Sequence, residues 1–168
     1  MTTAEATVDP EIVKDVHRQF VTGVTVVTTV DGDTPRGLAV NAFCSVSLEP
    51  PVVLVCVQAT SASYPALFRS SHLAVNILAA DQLPVLRVFA AKGHDKFASI
   101  DWEPGRHGSP IIGGCAAAIE VEIGERLQAG THTVFIGHVI DARTRDADPL
   151  IYRAGEFLAP SGLTTITE

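Results

Sequence analysis

Arg36 to Val57, RGLAVNAFCSVSLEPPVVLVCV, is the stretch whose reading decides the fold. Its first half gathers small and polar residues (Ala39, Asn41, Ala42, Cys44, Ser45, Ser47) around one aromatic, Phe43, and so presents backbone and hydroxyl donors with few bulky obstructions. A flat ring with polar edges fits such a surface. Leu48-Glu49-Pro50-Pro51 then halts the strand, because neither proline can donate to a ladder, and Val52 to Val57 restarts as a buried, Val-rich run. The order is strand, small-residue ledge, kink, core strand.

Upstream, Val24 to Val30 contains only Val and Thr, and Asp31-Gly32-Asp33 supplies a hairpin turn before Arg36 opens the next strand. Ahead of these, Asp9 as N-cap, Pro10 at the first helical position and Glu11 in the first turn start a helix of about three turns. Its Ile12, Val16 and Phe20 form one apolar stripe. Downstream, Ser63 is placed to cap a short helix through Phe68, Leu73 to Leu78 reads as a strand, and Asp81 is placed to cap a helix carrying Leu83, Leu86 and Phe89. Ala91 to Gly114, polar, rich in Gly and Pro and holding the only tryptophan, Trp102, reads as a surface excursion. Strands resume at Ala117 to Arg126 and Thr133 to Ala142, and a short pair around Leu150 to Tyr152 and Glu156 to Leu158 closes the set. The class is mainly β, with two or three helices on an antiparallel sheet long enough to curl into a barrel. The expected organisation is an N-terminal helical extension over 1–19, one domain over 20–160 and a loose tail over 161–168.

A formal charge of -7 and the lack of any cluster of five Lys or Arg exclude a large phosphate-binding face, so no nucleic acid partner is expected. No apolar run reaches the roughly eighteen residues of a membrane span, and MTTAEATVDPEIV lacks both a basic start and an apolar core. The expected location is cytoplasmic, with no membrane partner. Three cysteines (Cys44, Cys56, Cys115) have no CxxC spacing, and Cys56 reads as a small buried hydrophobe. The six histidines (His17, His72, His94, His107, His132, His138) show neither HExxH nor an i, i+4 pair, and no metal site is expected.

G-x-G-x-x-G, G-x-x-x-x-G-K-[ST] and G-x-S-x-G are all absent, so a nicotinamide nucleotide would not be held on a Rossmann fold. The ledge itself suits an isoalloxazine, which needs donors at N1, O2, O4 and N5 and a flat wall. Backbone N–H groups at Ala39, Val40 and Asn41 and at Phe43, Cys44 and Ser45 are placed to supply them, though taken alone the stretch also reads as a normal strand with a polar outer face. Gln58-Ala59-Thr60-Ser61-Ala62-Ser63 ends a strand and enters a helix, which offers hydroxyls and helix N-terminal amides to a phosphate; it reads equally as a plain Ser/Thr cap. His132 stands at a strand mouth, where sites are often built, though such a position also suits an ordinary turn histidine.

The run G-x-x-x-N-x-F-x-S-V-S-L-x-P-P before an apolar strand resembles the short-chain flavin reductases, the NAD(P)H:flavin oxidoreductase components of two-component monooxygenases. Further matches follow in order: Phe20 to Thr29, Ser61 to Leu67, Ala74 to Leu78, Phe89-Ala90 with Asp95-Lys96-Phe97, and Gly130-Thr131-His132 before Ile136 to Val139. The resemblance implies an antiparallel split β-barrel of the FMN-binding, flavin reductase-like kind with flanking helices. It also implies a homodimer with flavin sites near the subunit interface. The implied reaction is hydride transfer from NADH or NADPH to FMN or FAD, with reduced flavin passed to a separate monooxygenase. It further implies that Phe89, Ala90 and Ala91 with Lys96 and Phe97 close over the flavin, that Ser63 and Tyr64 open the phosphate-side helix, and that Tyr152 and Arg153 lie near the nicotinamide nucleotide. His132 matches the histidine of the family's G-D-H motif, on the nicotinamide side, with Thr131 in place of the acid. Family members often carry a cation or amide near Ala59-Thr60; its absence points either to a weak phosphate grip or to help from Lys92, Lys96 or Arg69. Two other readings stay open: a flavin carrier or sensor without turnover, and a split-barrel oxidase acting directly on a small substrate.

Overall fold

A computed structural model describes residues 8–93 and 95–166. His94, the first seven residues of the expected extension and the last two of the expected tail lie outside the described residues. The chain runs α1 (Pro10–Arg18), β1 (Thr22–Gly23), β2 (Thr25–Asp31), β3 (Thr34–Val40), β4 (Phe43–Leu48), β5 (Pro51–Gln58), α2 (Tyr64–Arg69), β6 (His72–Ile77) and α3 (Leu83–Ala90). It continues through β7 (Trp102–Pro104), β8 (Pro110–Ile112), β9 (Ala117–Ala129), β10 (His132–Thr144), β11 (Ile151–Arg153) and β12 (Glu156–Leu158).

Seven strands form one antiparallel sheet in the order β3-β2-β6-β9-β10-β5-β4. Its two edge strands, β3 and β4, are consecutive in the chain and joined only by Asn41 and Ala42, so the sheet curls until its edges approach. Among the described residues the edges do not pair, and the sheet does not close into a barrel. The long strands β9 and β10 bend at register shifts beside Gly137 and Asp141. Gly137 is required there, because a Cβ would collide with the Glu122 carbonyl.

The run of Val and Thr in β2 is explained by burial on both faces. Val27 packs inside the curl with Val55, Leu73, Val75, Val121 and Phe135, while Val24 and Val26 pack outside it with Leu78, Leu86, Phe89 and Ile112. The Asp31 to Thr34 hairpin turns as expected, with Gly32 at φ 61. In β5 only alternate residues are buried: Val53, Val55 and Val57 face the core, whereas Cys56 faces outward and is half-buried. The expectation of a uniformly buried run, with Cys56 inside it, is therefore corrected.

Three further corrections concern local structure. Asp9 does cap α1, accepting from the Glu11 N–H at 2.9 Å, but the helix ends at Arg18, so Phe20 lies beyond it and the stripe is shorter. Gln82, not Asp81, is the N-cap of α3; its Oε1 accepts from the Ala79 N–H at 3.0 Å and its Nε2 donates to the Gly113 carbonyl at 2.7 Å. The segment from Ala91 to Gly114 is not a surface excursion. It buries Phe97, Ser109, Ile111 and Ile112, and the barrel holds it through polar side chains. Thr28 Oγ1 donates to the Pro110 carbonyl at 2.6 Å, Asn76 Oδ1 accepts from the Ile112 N–H at 2.9 Å, and Glu120 accepts from the Ser109 N–H at 3.1 Å. Among the described residues no helix is long and apolar enough to cross a membrane.

Candidate active site

An open cleft of about 940 Å3 lies along the outer face of the β3 edge. One wall is the ledge, Leu38 to Ala42. Another is the end of α3 with the chain that follows it, Phe89 to Gly93 and Lys96. The turn Thr60 to Ser63 and the side chains of Cys56, Gln58 and His132 complete it. The volume lies within the range of small-molecule sites, and a wall of Ala39, Asn41 and Ala42 leaves its floor unobstructed. A flat polar ring fits these residues on size and on donor supply.

The position of each wall follows from local structure. Gly37 lets α3 approach β3, since a Cβ there would lie 2.8 Å from the Phe89 ring. Phe89 is then fixed by Phe97 at 5.1 Å between centroids, and Phe97 by Trp102 at 5.5 Å, so the aromatic chain braces the helix end. Lys96 Nζ donates to the Phe89 carbonyl at 2.7 Å, satisfying an acceptor that the helix end leaves open. Burial pushes the Lys96 ammonium below its ordinary pKa, and pushes the Cys56 thiol up. The β10–β5 register sets His132 opposite Gln58, two residues on from Cys56, whose N–H donates to the Ala42 carbonyl at 3.0 Å. His132 thereby belongs to the Asn41–Ala42 end of the ledge. Its Nδ1 lies 2.9 Å from the Thr131 hydroxyl, which orients the ring where the family motif has an acid.

The cleft brings together Ala39, Val40, Asn41, Gln58, Thr60, Ser61, Ser63, Phe89, Ala90, Ala91, Lys96 and His132. It does not bring in the rest of the expected set. Phe43 packs against the inner core, and Cys44 and Ser45 are exposed on β4, at the opposite edge of the sheet. Ala59 spends its N–H on the Thr131 carbonyl. Tyr64 bonds Thr133 at 2.8 Å, and Phe97 is buried behind Phe89. Tyr152 packs against Phe157 with the rings tilted in the small β1-β11-β12 sheet, with Arg153 exposed beside it, and Arg69 pairs with Asp31 at 2.9 Å.

The turn before α2 also offers fewer amides than its sequence suggests. The Ser61 N–H donates to the Gln58 carbonyl and the Tyr64 N–H to the Ser61 carbonyl, both at 3.0 Å. Ser63 occupies the N-cap but makes no side-chain cap; its hydroxyl donates instead to the Gly37 carbonyl at 2.9 Å and ties the turn to β3. The hydroxyls of Thr60 and Ser61 and the ammonium groups of Lys92 and Lys96 remain for an anion. Sequence reasoning missed Cys56 as a lining residue, although strand alternation puts it on the same face as Gln58.

Residues 17–160 match the flavin reductase like domain. The chain belongs to that family. It is 40% identical over 155 residues to the reductase subunit HsaB of a flavin-dependent monooxygenase from Rhodococcus jostii, covering 92% of this chain and 79% of that one. It is 41% identical over 138 residues to the FMN reductase (NADH) SmoA of Agrobacterium fabrum, covering 82% and 79%. The structure of an NADH:FAD oxidoreductase from Streptomyces globisporus, in complex with NAD and FAD fragments, superposes with a TM-score of 0.83 at 38% identity, covering 95% and 99%. Some curated relatives are longer, and the chain spans 49% of their length. The relatives are flavin reductases and reductase components of flavin-dependent monooxygenases, and the split, mostly antiparallel sheet is the fold they share with this chain.

Proposed function

We propose that the protein is an NAD(P)H:flavin oxidoreductase that reduces a flavin with NADH and releases it to a separate monooxygenase component. The observation that carries this reading is the open cleft along β3. It has a small-residue ledge for a ring along β3, with His132 at the Asn41–Ala42 end and Lys96 bordering the hollow at the Arg36–Gly37 end. When bound there, a flavin accepts hydride at N5 from C4 of the dihydronicotinamide. The protein contributes stacking surface, edge hydrogen bonds and alignment of the two rings to about 3–3.5 Å. No acid or base of the chain is required for the hydride step itself, and the ledge along β3 is made of uncharged residues, Leu38 to Ala42. An open cleft also suits a flavin that arrives and leaves.

Residues 20–160 form the working unit in this reading, which acts in the cytoplasm because its hydride donor is an intracellular metabolite. A homodimer fits the exposed apolar residues: α1 buries none of its side chains, with Ile12 and Val16 outward, and β4 exposes Val46 and Leu48. Absorbance at 340 nm with NADH or NADPH, with and without riboflavin, FMN or FAD, tests the proposal. Oxidation that saturates with added flavin is the expected result; none with any pair would overturn it.

A pH dependence follows from Lys96. Its ammonium titrates below the ordinary 10.5, so its charge is complete below that lowered value and is lost as pH rises through it. KM for FMN or FAD should therefore rise with pH at a point below 10.5, while KM for riboflavin, which has no phosphate, stays level. Parallel curves for riboflavin and FMN would remove Lys96 from the phosphate end.

A further inference from the structure

The cleft does not end at its lysines. A second hollow of about 290 Å3 shares Ala62, Ser63, Gly93 and Lys96 with it, and Arg36 and Asp31 supply the charged groups of the new wall. β3 borders both spaces, with Arg36 and Gly37 along the annexe and Leu38 to Asn41 along the main cleft. At ~3.3 Å per residue, Arg36 stands roughly 16 Å along the strand from Asn41, at the far end from His132.

The charge of this wall departs from that of the chain. The protein has 12 Lys and Arg against 19 Asp and Glu, yet Arg36, Lys92 and Lys96 all border this one continuous space. The annexe's carboxylate, Asp31, is neutralised by Arg69 at 2.9 Å. Arg36 is half-buried and, among the described residues, makes neither an ion pair nor a side-chain hydrogen bond. A guanidinium left unpaired in a hollow is a fork of donors suited to bidentate contact with phosphate. Pro65, Ala66 and Phe97 give the same hollow an apolar side.

We infer that the annexe receives the second phosphate and the adenosine that FAD carries beyond FMN, with Arg36 across the diphosphate, so that this chain prefers FAD. The inference rests on the flavin reading of the main cleft. Lys96 then meets the phosphate common to both flavins, and Arg36 the one found only in FAD.

Isothermal titration of FAD, FMN, riboflavin and ADP into the wild type, Arg36→Ala and Arg36→Lys tests it without turnover. FAD should bind the wild type about tenfold or more tighter than FMN, a gap of about 1.4 kcal/mol. Arg36→Ala should close that gap and abolish ADP binding, and Arg36→Lys should restore part of both. Equal FAD and FMN affinity in the wild type would overturn the inference, as would Arg36→Ala weakening both flavins alike. Riboflavin separates the two failures. If it binds and FAD gains nothing, the annexe assignment alone falls; if no flavin binds, the reading of the cleft falls with it.

Discussion

Glu120→Ala is expected to destabilise the protein by about 3–5 kcal/mol, which for a chain of this size lowers Tm by roughly 10 °C. Glu120 is fully buried in β9. Its Oε2 accepts from the His107 N–H at 3.0 Å, and its Oε1 from the Ser109 N–H at 3.1 Å. The turn that covers it approaches so closely that a Cβ on Gly105 would collide with the carboxylate. Truncation removes the acceptor and leaves the Ser109 amide buried without a partner, while also opening a void where the carboxylate sat. Glu120→Gln, which keeps one acceptor oxygen but turns an NH2 toward the same donors, should lose an intermediate amount. Thermal and urea unfolding of the three proteins measures this. A shift of less than about 2 °C for Glu120→Ala would mean that the turn is held by Thr28, Asn76 and Gln82 without it.

The same residue shows where the sequence is legible. In the alternation of β9, Glu120 and Glu122 share a face and read alike as solvent-facing acids. Only the tertiary return of residues 105–109 distinguishes them, burying one and leaving the other exposed. The Gly- and Pro-rich stretch that makes this return looks polar because its apolar anchors, Phe97 and the pair Ile111-Ile112, are few and lie far apart in the chain. Long-range covering of this kind leaves no periodic trace.

Strands and hairpins are different, because their signals are local. The Val/Thr run of β2, the Asp31-Gly32 turn and the proline stop before β5 each dictate their own geometry through sterics or missing donors. The β3 half of the ledge was readable for the same reason: small residues on an edge strand leave room beside it. The β4 half was not. Residues 43–45 follow within three positions, but the sheet curls, so that step carries the chain from one edge of the sheet to the other. Capping was misjudged at Ser63 and Asp81 because a competing acceptor or donor decides where a polar side chain bonds. The Gly37 carbonyl draws the Ser63 hydroxyl, and Gln82 takes the cap position beside Asp81.

His132→Ala is expected to lower kcat/KM for NADH by about ten- to a hundredfold while leaving the flavin Kd within about twofold. The separation follows from placement. His132 is half-buried at the Asn41–Ala42 end of the cleft, opposite Gln58, whereas Lys96 and Ser63 border the hollow at the Arg36–Gly37 end of β3. A side chain at the ring end can align a second ring stacked on the first without touching the phosphate of either flavin. Misalignment of the reacting atoms by about 1 Å is enough for a loss of this size. The Thr131 hydroxyl, 2.9 Å from Nδ1, fixes the ring without a negative charge. Thr131→Val should therefore cost a fraction of the His132→Ala loss. His132→Gln, which returns a donor at similar reach, should recover part of it. Stopped-flow reduction of enzyme-bound flavin by NADH, beside equilibrium flavin titration, reads the two quantities separately. If flavin Kd rises as much as the rate falls, His132 holds the flavin itself; if neither moves, the nicotinamide lies elsewhere in the cleft.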